Sequence, residues 1–127
     1  MKCLLDTHAY LWWMSEPHKL SKQADDIISD TNSDIWVSIA TFWEIAIKSS
    51  LGRLTLSQDV GALCAELVND GFKLLDIDSR HCSAVARLPF HHRDPFDRML
   101  LAQALTDDLT LVSRDAELRR YPVKVAW

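Results

Sequence analysis

The sequence is poor in the residues that interrupt regular structure, with three Gly and four Pro among 127 residues. Such a composition excludes collagen-like and low-complexity chains and is typical of a compact globular protein. The length suits one ordinary domain but not two. We therefore expect residues 1–127 to form a single domain, and we find no internal repeat in them.

Long hydrophobic runs are missing as well. No stretch approaches the roughly 18 uncharged apolar residues that a membrane-spanning helix needs, so we expect no membrane association. Near the N-terminus, Asp6 and His8 interrupt any apolar core of a signal peptide. These features favour a cytoplasmic protein.

Cysteine is scarce. Cys3, Cys64 and Cys82 are odd in number, lie far apart and form no Cys-x-x-Cys spacing, which excludes a disulfide framework. No cysteines or histidines have the spacing of a zinc site, so zinc is disfavoured. Because all three cysteines lie in apolar settings, we expect buried free thiols in a reducing compartment.

Positive charge is in deficit. The chain has 14 Lys and Arg against 18 Asp and Glu, a net charge of −4. No global basic field therefore attracts nucleic acid to this protein. A function on nucleic acid would need a local basic patch, or a metal ion that offsets the acids.

What the sequence does contain is a regular alternation of short apolar runs and helical stretches. The runs predict strands at 2–5, 35–39, 72–75, 109–113 and 123–127. The stretches between them predict helices at 7–14, 21–29, 40–50 and 95–106, and a last short one at about 116–118. Two more helices are predicted, one that starts at Ser57 or Asp59 and runs to about 69, and one that is capped by Asp78 or Ser79 and runs to 87. Buried-type strands alternating with helices predict a parallel, three-layer α/β sandwich, whose strand order is not readable from the pattern.

Two of these helices carry specific expectations about burial. In the helix at 40–50, an apolar stripe predicts the buried side: Ile39, Phe42, Trp43, Ala46 and Ile47. The helix at 95–106 is apolar nearly all round, so it should be among the most buried helices of the domain.

Acidic residues follow the predicted strands at equivalent places. Asp6 follows the first strand, Glu44 lies in the first turns of the helix after the second, and Asp115 follows the strand ending at Ser113. Parallel strands present their carboxyl ends at one edge, so these three acids should lie near each other. Asp97 lies in the first turn of the helix at 95–106.

Several carboxylates packed together repel each other and need a neutralising partner. A hard divalent cation such as Mg²⁺ takes oxygen ligands and combines carboxylates with a substrate phosphate. The cluster therefore predicts a metal-assisted hydrolysis of phosphodiester bonds.

Each acid also has a purely structural interpretation. Asp6 and Asp115 stand where helix N-caps are expected. Glu44 follows Thr41 by three residues and precedes Lys48 by four, the spacings of a capping box and of a helical ion pair.

The pair Asp94 and Asp97 has a similar alternative. Asp94 with Pro95 after it is best explained as the cap of the helix at 95–106. Asp97 could be its capping-box partner, so the sequence leaves open whether Asp94 shares the role given to Asp97.

Four segments, in this order, carry a family resemblance. They are Leu4-Leu5-Asp6-Thr7-His8 with Trp12-Trp13 behind it, Val37-Ser38 followed by Trp43-Glu44-Ile45-Ala46-Ile47-Lys48, His92-Arg93-Asp94-Pro95-Phe96-Asp97-Arg98 with Ala102-Gln103-Ala104, and Ser113-Arg114-Asp115. In these residues nearly the whole chain resembles the PIN-domain family, and more narrowly the VapC-type toxins of type II toxin–antitoxin pairs. The resemblance implies an α/β/α sandwich with a central parallel sheet.

By the same resemblance, Asp6, Glu44 and Asp97 look like the three core metal-site acids and Asp115 like a more variable fourth. Thr7 and Ser113 would support them; close relatives often carry threonine in place of Ser113, which keeps the hydroxyl. The implied activity is Mg²⁺- or Mn²⁺-dependent cleavage of RNA by water, leaving a 5′-phosphate and a 3′-hydroxyl.

A negative substrate that approaches carboxylates needs cationic guides. Candidates for binding RNA phosphates are Arg93, Arg98, Arg114, His92 and Lys48. The alternative is that these are loop charges paired with the neighbouring acids. Lys48 in particular could pair with Glu44 or touch substrate.

Tryptophan is abundant in two short helices. Trp12, Trp13 and Trp43 have core packing as their default explanation. The family resemblance implies a second one, in which part of this surface receives the C-terminal segment of an antitoxin in an apolar groove. It also implies a homodimer.

Two other functions are weighed against the nuclease. A catalytically silent PIN-like module would bind RNA or a partner protein without cutting, and it is disfavoured because all the acids are present. A receiver-type phosphoacceptor domain needs paired acids after the first strand and a late lysine. Here Asp6 is followed by Thr7-His8, and Arg114 stands where the lysine would be sought.

Overall fold

The computed structural model describes all residues from 1 to 127, and it shows one sheet covered by helices on both faces. The strands are β1 (Lys2–Leu5), β2 (Asp34–Ser38), β3 (Lys73–Leu75), β4 (Thr110–Val112) and β5 (Val125–Ala126). The helices are α1 (Thr7–Ser15), α2 (Lys22–Ser29), α3 (Ile39–Ser50), α4 (Val60–Asn69), α5 (Ser79–Arg87) and α6 (Pro95–Thr106), with short 3₁₀ turns at Pro17–Lys19 and Ala116–Arg120.

All strand pairs in the sheet are parallel, and the strand order is β3-β2-β1-β4-β5. The chain therefore builds outward from β1 in one direction and then returns to add β4 and β5 on the other side. Leu5 of β1 pairs with Val37 of β2 and Val112 of β4. The strand order reverses between β1 and β4, which is where ligands bind in open α/β sheets.

Alternation along the central strands divides the core into two layers. In β1, Cys3 and Leu5 pack with α1, α2, α3 and α4 on one face, while Leu4 packs with α6 on the other. In β2, Ile35 and Val37 join the first layer and Trp36 joins the second. The predicted α/β/α sandwich with a central parallel sheet is confirmed.

The expected burial of α6 is confirmed. Its interior residues are inaccessible to solvent, with Leu101 and Ala102 fully buried between the sheet and α5. The last strand is shorter than predicted, since Val123 lies in a bend and neither Lys124 nor Trp127 belongs to the strand.

The buried side of α3 differs from the predicted stripe. Trp43 is 60% exposed, whereas Thr41, Phe42, Glu44 and Ile45 are buried. The reason is that α3 packs against α4 and α6 as well as the sheet. Its buried side is therefore determined by three neighbouring elements. Hydrophobicity alone placed Trp43 inside and missed the inward-facing Glu44.

The three cysteines are free, as expected, but they differ in burial. Cys3 is buried, Cys64 is partly buried and Cys82 is exposed on α5. The expectation of a buried thiol is therefore wrong for Cys82, because the outer side of α5 faces solvent. Among the six helices, none combines the length and apolar character needed to cross a membrane.

Candidate metal centre

Asp6 lies directly after the carboxyl end of β1. Its Oδ1 accepts a hydrogen bond from the Ala9 N–H at 2.8 Å, which caps α1 as the structural interpretation predicted. The residue is buried, and burial raises the pKa of its carboxyl group; the Ser113 hydroxyl and the Ala9 N–H partly offset this, while nearby Asp115 adds to it. Capping therefore occupies one oxygen of a carboxylate that is also close to other acids.

Glu44 projects from the buried side of α3 toward the same edge of the sheet. The Thr7 hydroxyl donates a hydrogen bond to Oε1 at 2.7 Å, and Lys48 Nζ lies 2.8 Å from Oε2. The helical ion pair with Lys48 is formed. The capping box is not, since Ser38 caps α3 by accepting from the Ala40 N–H.

Thr41 is a site residue that the sequence reasoning did not select. Its buried hydroxyl lies 3.3 Å from the Thr7 hydroxyl, which in turn holds Glu44. The available signal was that Thr41 lies one helical turn before Glu44 and therefore shares its face.

Asp94 and Asp97 have separate roles in the structure. Asp94 Oδ1 accepts from the backbone N–H groups of Phe96 at 2.8 Å and Asp97 at 3.2 Å, so it caps α6. A capping box would need the Asp94 N–H to donate to Asp97, but it donates to His92 Nδ1 at 3.1 Å instead. The Asp97 carboxylate is thereby left to face the other acids.

The pKa of Asp97 shows how crowded this edge is. Burial raises the pKa of its carboxyl group to about 7, with further contributions from the negative charges of Asp94, Asp6 and Glu44. His92 acts in the opposite direction. Acids from three segments of the chain, after β1, in α3 and at the start of α6, therefore interact electrostatically at Asp97.

Asp115 joins the cluster from the segment that follows β4. Its Oδ1 accepts from the Glu117 N–H at 2.9 Å and so caps the 3₁₀ turn. Its Oδ2 lies 2.9 Å from His92 Nε2. The buried Ser113 hydroxyl accepts from the Asp115 N–H at 3.0 Å and supports the turn.

His92 lies between two of the acids, a place that no local pattern indicated. Its Nε2 is 2.9 Å from Asp115 Oδ2 and 3.3 Å from Asp97 Oδ2. It was considered a donor to RNA phosphates, but its ring faces the carboxylates. The contact with Asp115 joins residues 23 apart in sequence, so only the tertiary fold reveals it.

The expectation for Arg98 is wrong. Its side chain is buried, and its guanidinium donates to the backbone carbonyls of Pro89 at 2.9 Å, Val85 and Leu88 at 3.2 Å, and His92 at 3.4 Å. All of these partners belong to α5 and the loop that follows it. Both terminal nitrogens of Arg98 are thus engaged in holding this loop, and the buried side chain is not available to a substrate phosphate.

The remaining cations fall into two groups. Arg93 and Arg114 are exposed and form no ion pair, although Arg114 lies over the Trp12 ring at 5.9 Å. Lys48 is half-exposed and paired with Glu44. Arg93 and Arg114, next to Asp94 and Asp115 in the chain, therefore carry positive charge that is not ion-paired.

The three candidate tryptophans differ in their exposure to solvent. Trp12 packs against Trp127, and Trp13 packs edge-on against Phe72 at 4.7 Å, both partly buried against the core. Trp43 packs on Phe96 but stays largely open to solvent. Core packing thus accounts for much of Trp12 and Trp13, and Trp43 is the exposed one.

The donor set fits a hard divalent cation. Carboxylate oxygens predominate. Burial raises the pKa values of Asp6 and Asp97, and neighbouring acids raise them further, although His8 and His92 act in the opposite direction. One oxygen each of Asp97 and Asp115 and the Nε2 of His92 lie within 4.8 Å of one another. This spacing is compatible with a shared ion.

Comparison with known protein families agrees with the resemblance found in the sequence. The PIN-domain family model matches residues 3–124. The chain belongs to the PIN-domain family. It is 29% identical over 118 residues to Ribonuclease VapC22 of Mycobacterium tuberculosis, an alignment covering 93% of this chain and 90% of that one.

Solved structures with the same fold come from protein complexes. The chain aligns with VapBC2 from Rickettsia felis, bound to a promoter DNA fragment, at a TM-score of 0.76 and 14% identity, covering 100% and 99% of the two chains. Against DNA-bound VapBC from Salmonella typhimurium the TM-score is 0.71 at 17% identity, covering 99% and 97%. Against FitAcB from Neisseria gonorrhoeae it is 0.66 at 21% identity, covering 98% and 96%. At these identities the likeness establishes the fold.

Proposed function

We propose that this chain is a metal-dependent endoribonuclease and the toxin of a type II toxin–antitoxin pair. The observation that carries the proposal is the meeting of Asp6, Glu44, Asp97 and Asp115 where the strand order reverses. The PIN-domain membership and the ribonuclease among its relatives support RNA as the substrate.

The acids would hold Mg²⁺, with Mn²⁺ able to substitute. Asp6, Asp97 and Asp115 present carboxylates to the cluster, and Glu44 is held beside them by Thr7 and Lys48. When bound, the ion would polarise the scissile phosphoryl group and lower the pKa of a water.

The chain's own residues supply the rest of the chemistry. The exposed guanidinium groups of Arg93 and Arg114 would bind phosphates on either side of the cleaved bond and so offset the repulsion from the acids. As in the family that the chain belongs to, a metal-activated water would be the attacking group, leaving a 5′-phosphate and a 3′-hydroxyl.

A cognate antitoxin is the proposed partner, because the structural relatives are VapBC and FitAcB assemblies. We place its contact at the exposed Trp43, with Trp12 and Trp13 contributing their open edges. We further infer a homodimer that acts in the cytoplasm, where its RNA substrate is found. Residues 1–127 would act as a single domain, since one sheet joins both ends of the chain.

The test is RNA cleavage by the purified, antitoxin-free chain. We expect cleavage with Mg²⁺ or Mn²⁺ that EDTA abolishes, and product ends that accept a 3′-ligation adaptor without phosphatase treatment. Metal-independent cleavage, or 2′,3′-cyclic phosphate ends, would refute the mechanism. A chain that binds RNA but neither binds metal nor cuts would instead be the silent binding module.

A further inference from the structure

His92 has every polar atom engaged by the protein. Its backbone N–H donates to the Tyr121 hydroxyl at 2.9 Å, and its carbonyl accepts from Arg98 at 3.4 Å. In the ring, Nδ1 faces the Asp94 N–H and Nε2 faces the carboxylates of Asp115 and Asp97. These contacts hold the ring against the carboxylates and leave neither ring nitrogen free for a substrate.

The contact at Nδ1 decides where the ring carries its proton. A backbone N–H can only donate, so the Asp94 N–H requires a lone pair on Nδ1 at 3.1 Å. In a neutral imidazole the proton is then on Nε2. Nε2–H therefore donates to Asp115 Oδ2 at 2.9 Å, with Asp97 Oδ2 as a longer second acceptor at 3.3 Å.

This arrangement is the reverse of a metal-binding histidine. A ligating imidazole offers a lone pair to the ion and donates its other N–H to a carbonyl or carboxylate. If His92 Nε2 bound an ion, Nδ1 would have to carry the proton and would oppose the Asp94 N–H. The spacing of His92, Asp97 and Asp115 suits an ion, but the hydrogen bonding of the ring does not.

We propose that His92 is a positioning residue of the metal centre, whose Nε2–H joins the Asp115 and Asp97 carboxylates while the acids alone bind the ion. This inference rests on the proposed metal-dependent function. Asp115 Oδ1 is held by the Glu117 N–H. With His92 at Oδ2, the carboxylate is fixed from both ends, and each oxygen keeps a lone pair for a metal.

The loop that carries His92 is built to hold it there. The Tyr121 hydroxyl accepts from the His92 N–H and donates to the Pro89 carbonyl at 2.8 Å. The buried Arg98 guanidinium binds the Pro89 and His92 carbonyls from the other side. Tyr121, 29 residues away in the chain, and Arg98, six residues away, therefore fix the backbone on which the imidazole depends.

The direct test is the ¹⁵N NMR spectrum of the His92 ring, with and without Mg²⁺. We expect an unprotonated Nδ1 and a protonated Nε2 in both states. A proton that moves to Nδ1 when Mg²⁺ is added would overturn the proposal, and so would a ring protonated at both nitrogens. With Mn²⁺, electron spin-echo measurements should show no directly bonded ¹⁴N.

Variants test the positioning role through metal affinity. His92→Leu removes the donor and should weaken Mg²⁺ binding about 10- to 100-fold in calorimetry, the range found when outer partners of metal ligands are lost. His92→Gln retains an N–H donor and should restore most of the affinity. The matched control is His18→Leu, an exposed histidine in the Pro17–Lys19 turn, which should bind Mg²⁺ as the wild type does.

The outcomes separate this proposal from the proposed function. Equal affinity in His92→Leu and wild type would remove the positioning role, and equal loss in the Leu and Gln variants would show that the donor is not what matters. A wild-type chain that binds no divalent metal would refute the metal-dependent nuclease. Even then, the metal-free NMR spectrum decides the protonation of the ring and hence the hydrogen bond to Asp115.

Discussion

At the scale of single residues, the acids of this site each serve the fold and the metal centre together. Asp6 caps α1 through one oxygen while its charge lies among other carboxylates. Asp115 caps a 3₁₀ turn and faces His92. The structural and functional interpretations of these acids are therefore compatible, because a carboxylate has two oxygens and each oxygen has two lone pairs.

Asp6→Asn should separate the two roles of Asp6. Asparagine caps helices about as well as aspartate, so the variant should unfold at the same or a higher urea concentration in the absence of metal. Loss of one metal-site charge should lower RNA cleavage by about 100-fold or more, since the ion supplies several kcal/mol to the transition state.

The matched control is Asp59→Asn, the same change at the cap of α4, where activity should not change. Cleavage by Asp6→Asn at the wild-type rate would mean that the site is misplaced.

Asp97 makes the stability of the metal-free protein depend on pH. Its pKa is raised from 3.8 to about 7 in the folded chain, so the folded state binds more protons than the unfolded state between these values. The free energy of unfolding should therefore fall as the pH rises from about 4 to about 7, and level off above that. Urea denaturation across this range, without metal, measures the slope.

Asp97→Asn supplies the comparison for that slope. The variant has no carboxyl group to titrate, so its stability should fall less over the same pH range and exceed that of the wild type at pH 8. A slope identical in both proteins would show that Asp97 is not the group responsible.

At the scale of structural elements, the N-terminal turn of α6 positions much of the acidic site. Asp94 caps it, Asp97 faces the acids, and the buried Arg98 turns the other way to hold the loop after α5. The loop in turn carries His92. One helix therefore places two groups of the cluster, the second of them indirectly.

Arg98→Leu should destabilise the protein by about 3 kcal/mol, because it leaves several backbone carbonyls without the charged donor that satisfied them. Arg98→Lys should recover only part of this, since an ammonium group cannot reproduce the planar fork. Urea denaturation measures both. Arg93→Leu, five residues earlier and exposed without an ion pair, is the control and should leave stability unchanged. A stable Arg98→Leu protein would show that the loop does not depend on this side chain.

At the scale of the whole molecule, the strand order gathers residues that are far apart in the chain. Asp6 follows the central strand, Asp115 follows its neighbour across the reversal, and α3 and α6 bring Glu44 and Asp97 to the same edge. The metal-free fold therefore contains mutual repulsion. A cation at this edge would relieve that repulsion and connect segments from both halves of the sequence.

Mg²⁺ should accordingly stabilise the entire fold. An ion that binds the folded chain alone adds about 2.7 kcal/mol to the free energy of unfolding at 100 times its dissociation constant. Thermal or urea unfolding with added Mg²⁺ should show this gain, and EDTA should reverse it. Asp6→Asn should show little of it. A wild-type unfolding midpoint that does not move with Mg²⁺ would argue against a metal site in the folded state.

Local chemistry was sufficient to predict much of this protein. The alternation of buried-type strands with helices predicted the parallel three-layer sandwich, Asp6 and Asp94 were recognisable as caps, and the apolar circumference of α6 predicted its burial. These features depend on neighbours within a few residues, so the sequence alone determines them.

Other features were decided only by tertiary structure. Trp43 lies outward because α3 packs against α4, α6 and the sheet through a side that carries other residues, such as Phe42 and Ile45. Arg98 is buried because carbonyls of α5 and of the loop between α5 and α6 satisfy its guanidinium. His92 faces the acids because Tyr121 and Arg98 hold its backbone. In each case the partner lies in another element or loop, and burial of a polar or aromatic side chain follows from whether the fold supplies that partner.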